Sequence, residues 1–163
     1  MAAHIASGIH CPIVAGDRML TMYAMLDTAA NRSAILPSLV QELEVPIRNT
    51  VTTVRAFDHQ TTCERQLATV KLEPLDGTFF LELWDAHVSD ILTTDKDRPP
   101  TLEDIEDLDY MEGIISFPEL EDERIGVVLS ARHAWTWTGG EVLKGRADQP
   151  LAIETLFGWT LSG

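Results

Sequence analysis

The chain has 163 residues, of which 45% are hydrophobic, with 12 basic residues against 26 acidic ones and a formal net charge of −14. That length and apolar content suit a single domain with an ordinary core. The charge argues against nucleic acid and against an anionic membrane surface as partners, since both are held through Lys and Arg.

Residues 1–8 lack the charged start and long apolar run of a signal peptide. No stretch approaches the roughly 20 apolar residues that span a bilayer. The two cysteines, Cys11 and Cys63, allow one disulfide but no disulfide framework, so a reduced intracellular setting, the cytoplasm, is the simpler expectation. Two strands, 9–14 and 19–26, are expected around a hairpin at Ala15-Gly16-Asp17. The second is almost continuously apolar, as a strand buried on both faces should be. It runs straight into Asp27-Thr28-Ala29-Ala30.

Residues 31–38 turn the chain, and Pro37 suits the first turn of a helix. Leu39, Val40 and Leu43 make a short helical stripe over 38–43. Strands follow at 45–56, 65–72 and 78–88. The first two are separated by a polar turn at Phe57-Asp58-His59-Gln60, the last two by the hairpin signal Asp76-Gly77.

Residues 89–122 then change character and carry 12 carboxylates. Thr101 and Asp104 after Pro99-Pro100 resemble a capping box, and Leu102, Ile105, Leu108 and Met111 form an apolar stripe. The expectation is an exposed excursion with one amphipathic helix. Its acidity reads most simply as a solvated face, alternatively as a docking surface for a basic partner. A buried strand at 124–129, a short helix at 131–137, a turn-rich connection at 139–150 and a strand pair or bent strand at 151–161 complete the chain. The fold class is therefore all-β, a barrel with short helices. Gly163 follows directly on an apolar run, as in a domain taken from a longer chain.

The strongest chemical signal is Asp27. A carboxylate at the end of a buried strand is costly unless it is hydrogen-bonded or shares a proton. Thr28 supplies a hydroxyl, and the small Ala29 and Ala30 let another backbone approach. An Asp-Thr turn is also an ordinary turn or cap. His4, His10, Cys11, His59, Cys63, His87 and His133 lack the close spacing of zinc ligands, and no phosphate-binding or dinucleotide glycine pattern occurs. No metal and no organic cofactor is expected. Trp84, Trp135, Trp137 and Trp159 read as core or dimer-interface residues.

Leu26-Asp27-Thr28-Ala29-Ala30-Asn31-Arg32-Ser33-Ala34-Ile35 resembles the active-site segment of the Pao-type (BEL/Pao) retrotransposon peptidases, a retropepsin-like aspartic protease family. Pro150-Leu151-Ala152-Ile153-Glu154-Thr155-Leu156-Phe157-Gly158-Trp159 through Gly163 is similar to that family's C-terminal segment. Ile125-Gly126-Val127-Val128-Leu129-Ser130-Ala131 corresponds to the segment packed beneath its active site. The resemblance spans roughly 9–163 and implies a retropepsin-like barrel with an acidic insertion at about 89–122. It further implies a homodimer with one catalytic Asp per chain and a polypeptide substrate. Asp27 would be the catalytic carboxylate, Thr28 its brace, and Ala29 and Ala30 the rest of the turn. Phe57, Asp58 and His59 fall where the family has its flap, and Ser130 lies under the site. Ala29, Ser130, Arg132 and the glycine-free flap depart from the commoner pattern. They leave open a second reading, a catalytically degenerate domain used for dimerisation or protein docking.

Overall fold

The computed structural model describes residues 4–5, 7–90, 97–113 and 124–163. In chain order its strands are β1 (His4–Ile5), β2 (Gly8–Ala15), β3 (Arg18–Leu26), β4 (Ala34–Ile35), β5 (Arg48–Ala56), β6 (His59–Leu72), β7 (Leu81–Val88), β8 (Asp97–Arg98), β9 (Ile125–Leu129), β10 (Val142–Leu143), β11 (Leu151–Thr155) and β12 (Gly158–Ser162). The α-helix among the described residues is α1 (Pro37–Glu42), begun by Pro37 and buried through Leu39 and Val40. The chain is mostly β, as its alternating and continuous apolar runs require.

Seven strands form one mixed sheet in the order β2-β3-β9-β4-β7-β6-β5. β2 also pairs with β6, at Ile13–Leu72 and Val14–Lys71, which closes the sheet into a ring and leaves β5 outside it. The main core draws Ile13, Ala24, Ile35, Leu83, Val127 and Leu129 from the strands of this ring, and α1 adds Leu39. A separate cluster joins Tyr23, Ile125 and Val128, packed with Met25 and Ala34. Strands β3 and β9 thus bury both faces, which is why their sequences run apolar without alternation. The register passes from Tyr23–Ile125 to Ala24–Val127, so Gly126 is the extra residue of a bulge.

The expected strand pair at the C-terminus is a hairpin, β11–β12, joined on its other side by β10. Thr155 Oγ1 accepts the Phe157 N–H at 3.1 Å and donates to the Gly158 carbonyl at 2.7 Å, tying the turn. Gly158 has φ +116°, a region closed to side chains. Thr160 then anchors this sheet to the ring: its Oγ1 accepts the Gly8 N–H at 2.9 Å and shares a hydrogen bond with Tyr23.

Several expectations need correction. The strand expected at 65–72 is longer, since β6 already begins at His59, and β5 begins at Arg48 rather than residue 45; the turn shrinks to Phe57-Asp58 between the pair Ala56–His59. β7 begins at Leu81, not residue 78, because Asp76 accepts both the N–H and the hydroxyl of Thr78 and holds a turn there. The amphipathic helix after Pro99 is instead two single 3₁₀ turns, Leu102–Asp104 and Asp109–Met111. Glu103 would face Glu106 and Asp107 on an α-helix, and like charges at that spacing disfavour it. Asp104 is also held by the Arg98 guanidinium through bonds of 2.7 and 2.6 Å, and by the Thr101 N–H at 2.6 Å. The two turns still bury Ile105 and Met111 with Ala152 and Leu161 of the C-terminal sheet. Asp95, Glu119, Glu121 and Asp122 of the acidic segment lie outside the described residues. Cys11 and Cys63 are both free thiols, and burial pushes the Cys11 thiol far up.

Two predictions follow from this packing. A Cβ on Gly8 would overlap the Ala24 carbonyl oxygen and stand 2.9 Å from Met25 Cα, both backbone atoms. Gly8→Ala should therefore lower stability by about 2 kcal/mol, read as a lower urea midpoint at an unchanged slope. His10 is buried against Tyr23, ring centroids 5.1 Å apart, and desolvation lowers its pKa from 6.5 to about 4. The unfolded chain takes up this proton below pH 6.5 while the folded chain resists until about pH 4. Stability from His10 is complete above that window and lost through it, by at most about 3 kcal/mol. The urea midpoint of His10→Phe should accordingly vary less between pH 7 and pH 4 than that of the unaltered chain; equal pH dependence would contradict the burial argument.

Candidate active site

β3 and β9 run parallel side by side, and both end at the same edge, at Leu26 and Leu129. The chain leaving β3 is caught at once: the Asp27 N–H donates to the Leu129 carbonyl at 2.9 Å. The Asp27 carboxylate Oδ1 accepts the Ala29 N–H at 2.9 Å, and the Asp27 carbonyl accepts the Ala30 N–H at 3.1 Å. The carboxylate is thereby fixed at the strand end, half-buried, with Thr28 and Ala29 exposed beside it. Among the described non-glycine residues positive φ occurs at Glu44 and Asp85 alone, so Ala29 sits in this turn without backbone strain.

The loop then crosses over the end of β9 and descends on its far side as β4, antiparallel to β9 through Ala34–Val128 and Ile35–Val127. Three bonds hold the crossing: Ala131 N–H to the Ala30 carbonyl at 3.3 Å, Ser130 N–H to Ser33 Oγ at 3.0 Å, and His87 N–H to the Ser33 carbonyl at 2.9 Å. Ser130 is 1% exposed and Ser33 is buried, so this bond lies in the protein interior. Ser130 therefore supports the loop from below and offers little surface to a ligand. The Thr28 hydroxyl has no hydrogen-bond partner among the described residues.

A cleft of about 330 Å³ opens beside this loop, lined by Asn31, Arg32 and Ser33 from the loop, Glu82, Trp84 and Asp85 from β7, and Ser130, Arg132 and His133 after β9. Phe57, Asp58 and His59 do not line it; they form the tip of the β5–β6 hairpin, with Phe57 wholly exposed. That hairpin carries Val51 and Val54 outward as well, so the single chain leaves apolar side chains on a projecting arm. Its turn closes without glycine and without positive φ, a geometry that splays strands more than the usual hairpin turns.

Trp84 and Asp85 owe their place to a bulge. β6 pairs Val70 with Leu83 and Ala68 with Ala86, so these two residues of β7 face Thr69 alone. Asp85 takes φ 53°, donates its N–H to Thr69 Oγ1 at 3.1 Å, and pairs with Arg48 at 2.8 Å. Trp84 is turned outward and 68% exposed. Trp84 and Trp135 are therefore not core residues of the single chain, whereas Trp137 is buried against Phe157. The sequence held a signal for this bulge: inward Leu81 and Leu83 are followed by Ala86, an odd-to-even slip in the alternation.

Among the described residues no three His, Cys, Asp or Glu side chains converge on a point where they could hold a metal ion. No helix among them is long and apolar enough to cross a membrane. In comparisons with known proteins, no family model and no curated protein matches the sequence, and no solved structure matches the fold.

Ser33 can be tested directly. Ser33→Ala strands the buried Ser130 N–H, at a cost of about 1–3 kcal/mol. Ser33→Thr keeps an oxygen there and should recover most of it. Thermal melts of the two variants check this, and equal melts would mean that the bond carries no weight.

Proposed function

We propose that this chain is a retropepsin-like aspartic endopeptidase, active as a homodimer in which each chain contributes Asp27. The observation that carries the reading is the seating of Asp27: a carboxylate pinned at the end of a doubly buried strand by its own N–H to Leu129 and by the Ala29 N–H on its Oδ1. Such a carboxylate presents its second oxygen in a fixed place. The exposed Thr28 and Ala29 beside it form the surface through which a second copy would approach on a two-fold axis.

With two such carboxylates at hydrogen-bond distance, both cannot ionise easily, and they share one proton. They titrate as a pair. The ionised member takes a proton from a water whose oxygen bonds to the scissile carbonyl carbon. The protonated member donates to the carbonyl oxygen as charge develops there. The tetrahedral intermediate then collapses, the C–N bond breaks, and the leaving nitrogen is protonated by the pair. Thr28 would bond across the axis and brace the two turns. The projecting β5–β6 arm, tipped by Phe57, Asp58 and His59, would close over a bound polypeptide, a polyprotein or a host protein.

A second reading is a docking module of the same fold without proteolysis. The glycine-free tip of the arm favours it, since a stiff tip closes less readily over a peptide. Incubation with a diverse peptide pool at high protein concentration separates the two. Cleavage somewhere across pH 4 to 7 that falls at least about 100-fold in Asp27→Asn is the expected result. A folded, dimeric protein that cleaves nothing would transfer the assignment to the docking reading.

A further inference from the structure

The cleft beside the Asp27 loop carries a charge opposite to that of the whole molecule. The chain has 26 acidic residues against 12 basic ones, yet Arg32 and Arg132 both line this one cleft. Neither has an ion-pair partner among the described residues. Of the carboxylates present, Asp85 is neutralised by Arg48 at 2.8 Å, which leaves Glu82 as the remaining negative group on the wall. Two free guanidiniums against one carboxylate make the cleft locally positive.

The neighbouring histidines report the same field. Desolvation comes first in lowering the pKa of His87, and the charges of Arg32 and Arg65 lower it further. His133 is lowered by desolvation and then by Arg132. The exposed Trp84 lines the same cleft as an apolar wall, turned outward by the bulge at Asp85. A volume of about 330 Å³ suits a single side chain with its flanking backbone.

We infer that this cleft binds the carboxylate side chain of an Asp or Glu residue in a polypeptide ligand, with Arg32 and Arg132 holding the carboxylate and Trp84 packing on its methylenes. Arg guanidiniums match carboxylates in geometry as well as charge. The net charge of −14 repels a peptide that is acidic throughout, so the cleft selects one acidic position in an otherwise neutral or basic segment. As a specificity pocket this rests on the peptidase reading; as a binding site it does not.

The test measures binding and cleavage separately. Fluorescent peptides differing only by Glu, Gln or Lys at one scanned position are titrated by anisotropy into the Asp27→Asn protein, which cannot turn them over. At one position Glu should bind about tenfold more tightly than Gln. Adding Arg32→Gln and Arg132→Gln should abolish that preference, and Arg132→Glu should shift it toward Lys; thermal melts confirm that these exposed substitutions leave the fold intact. No position with a Glu preference, or a preference that survives both arginine substitutions, overturns the inference. The unaltered chain is then mixed with the same peptides. Glu-selective binding without cleavage sinks the peptidase reading and keeps the acidic-residue site, whereas cleavage indifferent to Glu does the reverse.

Discussion

The parallel contact between β3 and β9 is the constraint on which the rest depends. Two parallel strands that end at one edge must send their chains onward from nearly the same place. Here the first exit is bent sharply at Asp27, caught by the Leu129 carbonyl, and carried across the top of β9 to become β4 on its other side. The exit from β9 at Ser130 runs under that crossing and bonds to it through Ser33. Fixing a carboxylate at the apex costs little once this crossing exists. Without it, Asp27 would sit on a free loop.

The supports around the crossing differ in character from its apex. Tyr23, Ile125 and Val128 seal the outer face of the two strands, and Ala24, Val127 and Leu129 fill the inner one. Thr160 adds polar bonds to Gly8 and Tyr23, so the C-terminal sheet is fastened to the same strands that hold the site. Ile105 and Met111 cover that sheet in turn. The acidic segment thus contributes to the fold through its apolar residues and the Arg98–Asp104 pair, while Glu103, Glu106, Asp107, Asp109 and Glu112 are exposed.

Buried histidine sets a tension with the proposed chemistry. A pair of carboxylates sharing a proton works best on the acidic side of neutrality. Yet His10 is buried and prefers the neutral form in the folded chain, so acidification draws on stability while it favours that shared proton. The working range of such a domain is then bounded below by its own core.

Much of the fold was legible in the residues because burial on two faces leaves a plain mark: the apolar runs into Asp27 and through 124–129 are read without ambiguity. Pro37 and Asp76-Gly77 marked a helix start and a turn through local backbone demands. What the sequence by itself determined is therefore the β class and the strand that delivers Asp27 to the end of the sheet. Tertiary structure alone decided that β2 meets β6, that Ser33 reaches the Ser130 N–H, and that Arg32 and Arg132 share a cleft. These are pairings between residues 57 to 100 positions apart. Periodicity and turn chemistry act over a few residues, and neither carries information about which distant strand a segment will adjoin.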